Sequence, residues 1–80
     1  MEQPRKYHAE TTGSDLDQSR SRFLSELEEN QLTNEIRYRY SELKRPAGQP
    51  EEVHIHFTAY FLTEEIRQKL GKAGFKIYEE

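Results

Sequence analysis

Val53-His54-Ile55-His56-Phe57-Thr58-Ala59-Tyr60-Phe61 alternates apolar and polar side chains, and with the two segments after it decides the fold. Those segments are Leu62-Thr63-Glu64-Glu65-Ile66-Arg67-Gln68-Lys69-Leu70-Gly71-Lys72-Ala73-Gly74 and Phe75-Lys76-Ile77-Tyr78-Glu79-Glu80. Successive strand side chains point to opposite faces, so the first segment has one apolar face and one ring-rich polar face. Thr63 has the hydroxyl of an N-cap, and Glu64 and Glu65 fall in the first turn, where carboxylates complement the helix dipole. Ile66, Leu70 and Ala73 make one apolar stripe, and Gly74 suits a left-handed stop. Phe75 and Ile77 restart an alternating strand. Strand, helix and strand in this order predict a right-handed crossover between parallel strands.

Upstream, Ile36, Tyr38 and Tyr40 alternate with Arg37, Arg39 and Ser41, which predicts a strand over 35–43. Lys44-Arg45-Pro46-Ala47-Gly48-Gln49-Pro50 denies regular structure and joins that strand to the next as a long-looped antiparallel hairpin. Ser14-Asp15-Leu16-Asp17 resembles a capping-box start, and Leu16, Phe23, Leu24 and Leu27 then share one helical face up to about Asn30. Residues 1–13 are polar and read as a flexible N-terminal tail, with a short edge strand over Tyr7–Thr12 as the alternative.

The expectation is therefore one small α+β domain over 14–80 in the order α-β-β-α-β. It has two layers, with a three-stranded sheet carrying both helices on one face. The last strand is expected beside the 35–43 strand, which makes that strand central. Phe57 and Leu70 are expected to meet in the core.

The chain has 80 residues, of which 34% are charged, and a net charge of −3. A domain this small buries only ~60% of its unfolded surface, which favours an oligomer or a bound partner. There is no cysteine, so no disulfide or thiolate metal site can staple it. The mild acidity argues against wholesale coating of nucleic acid. No apolar run approaches a membrane span, and Met1-Glu2-Gln3-Pro4-Arg5 lacks the apolar core of a secretory leader. A cytoplasmic protein is the resulting expectation.

The sheet face left free by the helices should carry Arg37, Arg39, His54, His56, Thr58, Tyr60, Lys76 and Tyr78. It reads as basic and aromatic, with the carboxylates segregated to the helices. Arg and Tyr are enriched at interface hot spots, which makes Arg37, Arg39, His54, His56, Tyr60, Lys76 and Tyr78 the candidate partner-binding set. The partner would be another protein or a second copy of the chain. The alternative is a single-stranded nucleic acid stacked on the same rings. His54 and His56, at i and i+2, have the spacing to chelate a divalent ion, but with His8 placed in the tail too few ligands remain, so no metal or cofactor is expected.

His56-Phe57-Thr58-Ala59 resembles the His-x-Thr-hydrophobic strand motif of the 2H phosphoesterase family. The resemblance implies a histidine acting as general acid or base beside a phosphate-holding hydroxyl. That family uses two facing motifs and this chain has one, so the implied enzyme would be a dimer. No catalytic triad, phosphate-binding glycine loop or paired catalytic carboxylates stand beside it, and a non-enzymatic adaptor, inhibitor or regulatory subunit is the leading expectation.

Overall fold

The computed structural model describes residues 3–80. In chain order the elements are β1 (Arg5–Thr12), α1 (Leu16–Glu29), β2 (Ile36–Lys44), β3 (Glu52–Ala59), α2 (Glu64–Lys72) and β4 (Lys76–Glu79). They form an α+β fold whose four strands make one antiparallel sheet in the order β2-β3-β1-β4. β1 and β2 run parallel with β3 between them, and β3 and β4 run parallel with β1 between them. These are two interleaved split β-α-β units, the ferredoxin-like arrangement.

The expected hairpin of β2 and β3 is present, with Tyr38 opposite Phe57. The flexible tail is not. Met1 and Glu2 lie outside the described residues, but residues 5–12 form a strand, and it is central rather than an edge. Tyr7, Ala9 and Thr11 alternate into the core at 2%, 0% and 7% exposure, and every residue of β1 is paired with β3. Tyr7 stacks on Phe57 with ring centroids 5.6 Å apart. β4 therefore pairs with β1 and not with β2, which lies at the edge. The sheet has four strands, not three, and the element order gains an initial β.

The local signals of α2 hold. The Thr63 hydroxyl accepts the Ile66 N–H at 3.2 Å. At the other end Gly74 takes φ +97°, the Phe75 N–H donates to Leu70 O at 3.1 Å and the Gly74 N–H to Gly71 O at 3.0 Å. This is the paired closure of a Schellman turn, and it drops Phe75 into the core. α1 is capped by Asp15 and not Ser14, its carboxylate accepting the Gln18 N–H at 2.9 Å.

Phe23 and Leu27 of α1 and Leu70 of α2 join Phe75 and the inward residues of β1, β2 and β3 in one core, with Phe57 and Leu70 both at 0% exposure. Both helices thus cover the same sheet face, as expected. Two residues assigned to that face leave it. Phe61 lies beyond the end of β3 and is 64% exposed. Tyr40 is turned to the other face by a β-bulge at Arg39, where the register steps from Tyr38↔Phe57 to Tyr40↔His56.

Candidate functional site: the open face of the sheet

The register places the residues of the uncovered face in rows across the strands. One row is Tyr78, His8, His56 and Tyr40, from β4, β1, β3 and β2. The next is Lys76, Glu10, His54 and Glu42. Towards the start of β1 lie Lys6, Thr58 and Arg37, and towards its end lie Thr12, Glu52 and Lys44.

The ring row is continuous. Tyr40 stacks on His56 at 4.3 Å with planes 14° apart, His8 lies 5.6 Å from His56, and Tyr78 stacks on His8 at 5.3 Å. His8 also stacks on His54 at 5.4 Å. Tyr40 and Tyr78, at the ends, remain half exposed, whereas His54 and His56 are each only 7% exposed. The two β3 histidines were expected on an exposed surface. Instead their neighbours on the same face enclose them.

Carboxylates do much of the enclosing. An ionised carboxylate only accepts, so an imidazole nitrogen that hydrogen-bonds one does so through its N–H, and the tautomer sets which nitrogen that is. His56 donates from Nε2 to Glu42 Oε2 at 2.6 Å, and its Nδ1 stands against Glu80 Oε1. This hydrogen bond from His56 holds the Glu42 carboxyl below its ordinary pKa, with Lys44 adding to the effect and burial opposing it. His54 has Glu52 Oε1 3.2 Å from Nε2 and Glu10 Oε1 3.6 Å from Nδ1. His8 has Glu10 Oε1 3.2 Å from Nε2 and Glu80 Oε1 3.7 Å from Nδ1. His8 Nδ1 is buried and has no hydrogen-bond partner among the described residues. The centre of the face is thus a histidine–carboxylate cluster, and the expected segregation of carboxylates to the helices does not hold.

The predicted partner-binding residues separate into three groups. His54, His56 and Tyr78 belong to the central cluster. Lys76 lies one row away, exposed on β4. Arg39 lies against the central cluster, while Arg37 and Tyr60 gather at the end of the face where β1 begins. There Arg37, Thr58, Ala59 and Tyr60, with Pro4 and Glu35, line a cleft of about 310 Å³. A second cleft of about 280 Å³ shares Tyr60 and is lined by Gln3, Arg5 and Phe61. Arg39 reaches over Tyr40, its guanidinium carbon 5.5 Å from the ring centroid, and lies 3.8 Å from Glu80. Among the described residues Lys6, Arg37 and Lys76 enter no ion pair.

Sequence reading missed His8, Glu10, Tyr40, Glu42, Glu52 and Glu80 at this face. A signal for the first two was present: Lys6, His8, Glu10 and Thr12 alternate with Tyr7, Ala9 and Thr11 between Pro4 and Gly13. None existed for Tyr40 and Glu42, whose side is set by the bulge. No protein-family model, curated protein or solved structure matches the chain. Among the described residues no helix is long and apolar enough to cross a membrane.

Proposed function

We propose that the chain is a non-enzymatic interaction module, an adaptor, inhibitor or regulatory subunit, that binds an acidic segment of another protein at the Arg37–Tyr60 end of its open sheet face. One observation carries this reading: an exposed Arg37, in no ion pair among the described residues, lines one of two clefts that share Tyr60, which is 55% exposed beside a 64% exposed Phe61. Arg offers several donors in a rigid fork to a carboxylate, and Tyr offers rigid contact area at low entropic cost. Lys6, opposite Thr58 and in no ion pair among the described residues, adds positive charge at the same end.

A nucleic-acid strand suits the face less well. The ring row invites stacking, but Glu10, Glu42, Glu52 and Glu80 surround its centre, where they would repel phosphates. A phosphoesterase-like role is also less favoured, because the carboxylates of Glu42 and Glu80 stand against the two ring nitrogens of His56, where they would repel a phosphate.

The test is a nuclear magnetic resonance titration with Glu/Asp-rich peptides containing an aromatic residue, with a basic peptide and a single-stranded oligonucleotide as comparators. The acidic peptides should shift Arg37, Thr58, Tyr60 and Phe61. The Arg37→Glu/Arg39→Glu double variant should lose about 2 kcal/mol, or roughly thirtyfold in affinity. Equal binding by the double variant, or binding only by the oligonucleotide, overturns the reading.

A further inference from the structure

We propose that His8, His56 and Glu80 form a binding site for a divalent transition-metal ion of the zinc, nickel or cobalt class. The three residues come from β1, β3 and the segment just after β4, and their donor atoms lie within 4.8 Å of one another. The site belongs to the centre of the open face and does not rest on the docking reading, which concerns one end of it.

The atoms are arranged as ligands. Glu80 Oε1 stands against both Nδ1 of His56 and Nδ1 of His8, the latter at 3.7 Å. Metal–nitrogen and metal–oxygen bonds near 2.0–2.2 Å place neighbouring tetrahedral donors ~3.3 Å apart, so small rotations of the side chains suffice. Backbone pairing fixes the framework: His8 is directly opposite His56, and the Glu80 N–H donates to Lys6 O at 2.9 Å.

Two further features point to an ion rather than to a hydrogen-bond network alone. The first is His8 Nδ1, a buried ring nitrogen that faces Glu80 and has no hydrogen-bond partner among the described residues. A buried polar atom left unpaired is costly, and a metal ion would satisfy it. The second is the outer support. Nδ1 of His56 faces the site while its Nε2–H donates to Glu42 at 2.6 Å. A carboxylate holding the far N–H of a ligating imidazole fixes its tautomer and orientation and raises its basicity.

Two imidazoles and a carboxylate suit borderline ions, and three protein ligands leave a coordination position for water or another donor. A second triad, His8, Glu10 and His54, shares His8. Its Nε2 of His8 and Nδ1 of His54 both lie near Glu10 Oε1, at 3.2 and 3.6 Å, but no unpartnered nitrogen marks it. His8 is committed to one triad at a time, and the orphaned Nδ1 selects the first.

The experiment is a titration of the untagged protein with Co²⁺, followed by visible absorption, and with Zn²⁺ in competition with a chromophoric chelator. Wild type should bind one ion and show the d–d bands of nitrogen/oxygen coordination. His8→Gln and Glu80→Gln should each weaken binding at least ~tenfold with an unchanged circular dichroism spectrum. His54→Gln should leave affinity within about twofold, since His54 is outside the triad. Should either His8→Gln or His56→Gln misfold, Glu80→Gln, at the periphery of the sheet, decides alone. No binding by wild type at millimolar metal, undiminished binding by Glu80→Gln, or loss of binding in His54→Gln overturns the proposal.

Discussion

Phe57→Ala removes the side chain on which the core converges. Phe57 is fully buried, opposite Tyr7 on one neighbour and Tyr38 on the other. Its ring stacks on Tyr7 at 5.6 Å and tilts against Phe23 at 5.5 Å. Truncating a buried Phe to Ala costs ~3–5 kcal/mol, with each ring pair contributing ~0.5–1.5 kcal/mol beyond area burial. At ~0.05–0.15 kcal/mol per residue, a domain of this length has only about 4–12 kcal/mol in total. Urea unfolding is the assay. With a slope of ~1 kcal/mol/M the midpoint should fall by about 3 M or more, or the variant should be unfolded without denaturant. A Tyr7→Leu/Phe57→Leu cycle should return a coupling of ~0.5–1.5 kcal/mol, because the two rings touch across the β1–β3 pairing. A midpoint shift under ~1 M, or no coupling, would refute the register on which the site is built.

Gly74→Ala should destabilise by about 1–3 kcal/mol, read from the same urea curves. A Cβ there meets only Arg22 at 3.7 Å and Thr11 at 3.9 Å, so the cost is the backbone at φ +97° rather than crowding. The Arg37→Glu/Arg39→Glu variant should unfold within ~0.5 kcal/mol of wild type, since both side chains are exposed and outside the core.

The second half of the chain was legible because each element carries its own punctuation. Thr63 caps, Gly74 stops, and Val53 to Ala59 alternate with large β-branched or aromatic residues, so β3 and α2 follow from local rules. β1 lacks that signature. Its inward residues are Tyr7, Ala9 and Thr11, two of them small, because the strand lies beneath the helix layer where Phe23, Phe57 and Phe75 already fill the space. Small residues at such positions look like a polar tail until their partners are known. Missing β1 also displaced β4, since the strand that separates β4 from β3 was absent from the expected sheet.

The site was legible only as fragments. His54 and His56 could be placed together from their spacing, and Arg37 and Tyr60 near one another from the hairpin. His8 is far from them in sequence and meets them only through the β1–β3 register. The bulge at Arg39 then reversed the expected direction of Tyr40 and brought it with Glu42 to the histidines. A bulge adds one residue to one strand, and an alternating sequence does not announce where.

Both the ring row and the metal triad depend on residues 5–12 being a central strand. Amide hydrogen exchange of Tyr7, His8, Ala9 and Glu10, followed by nuclear magnetic resonance, measures this directly. These amides should be protected to the same degree as those of Ile55, His56 and Phe57, exchanging only through the opening that exposes β3. Exchange of 5–12 at the rate of an unstructured peptide, with β3 still protected, would contradict the account.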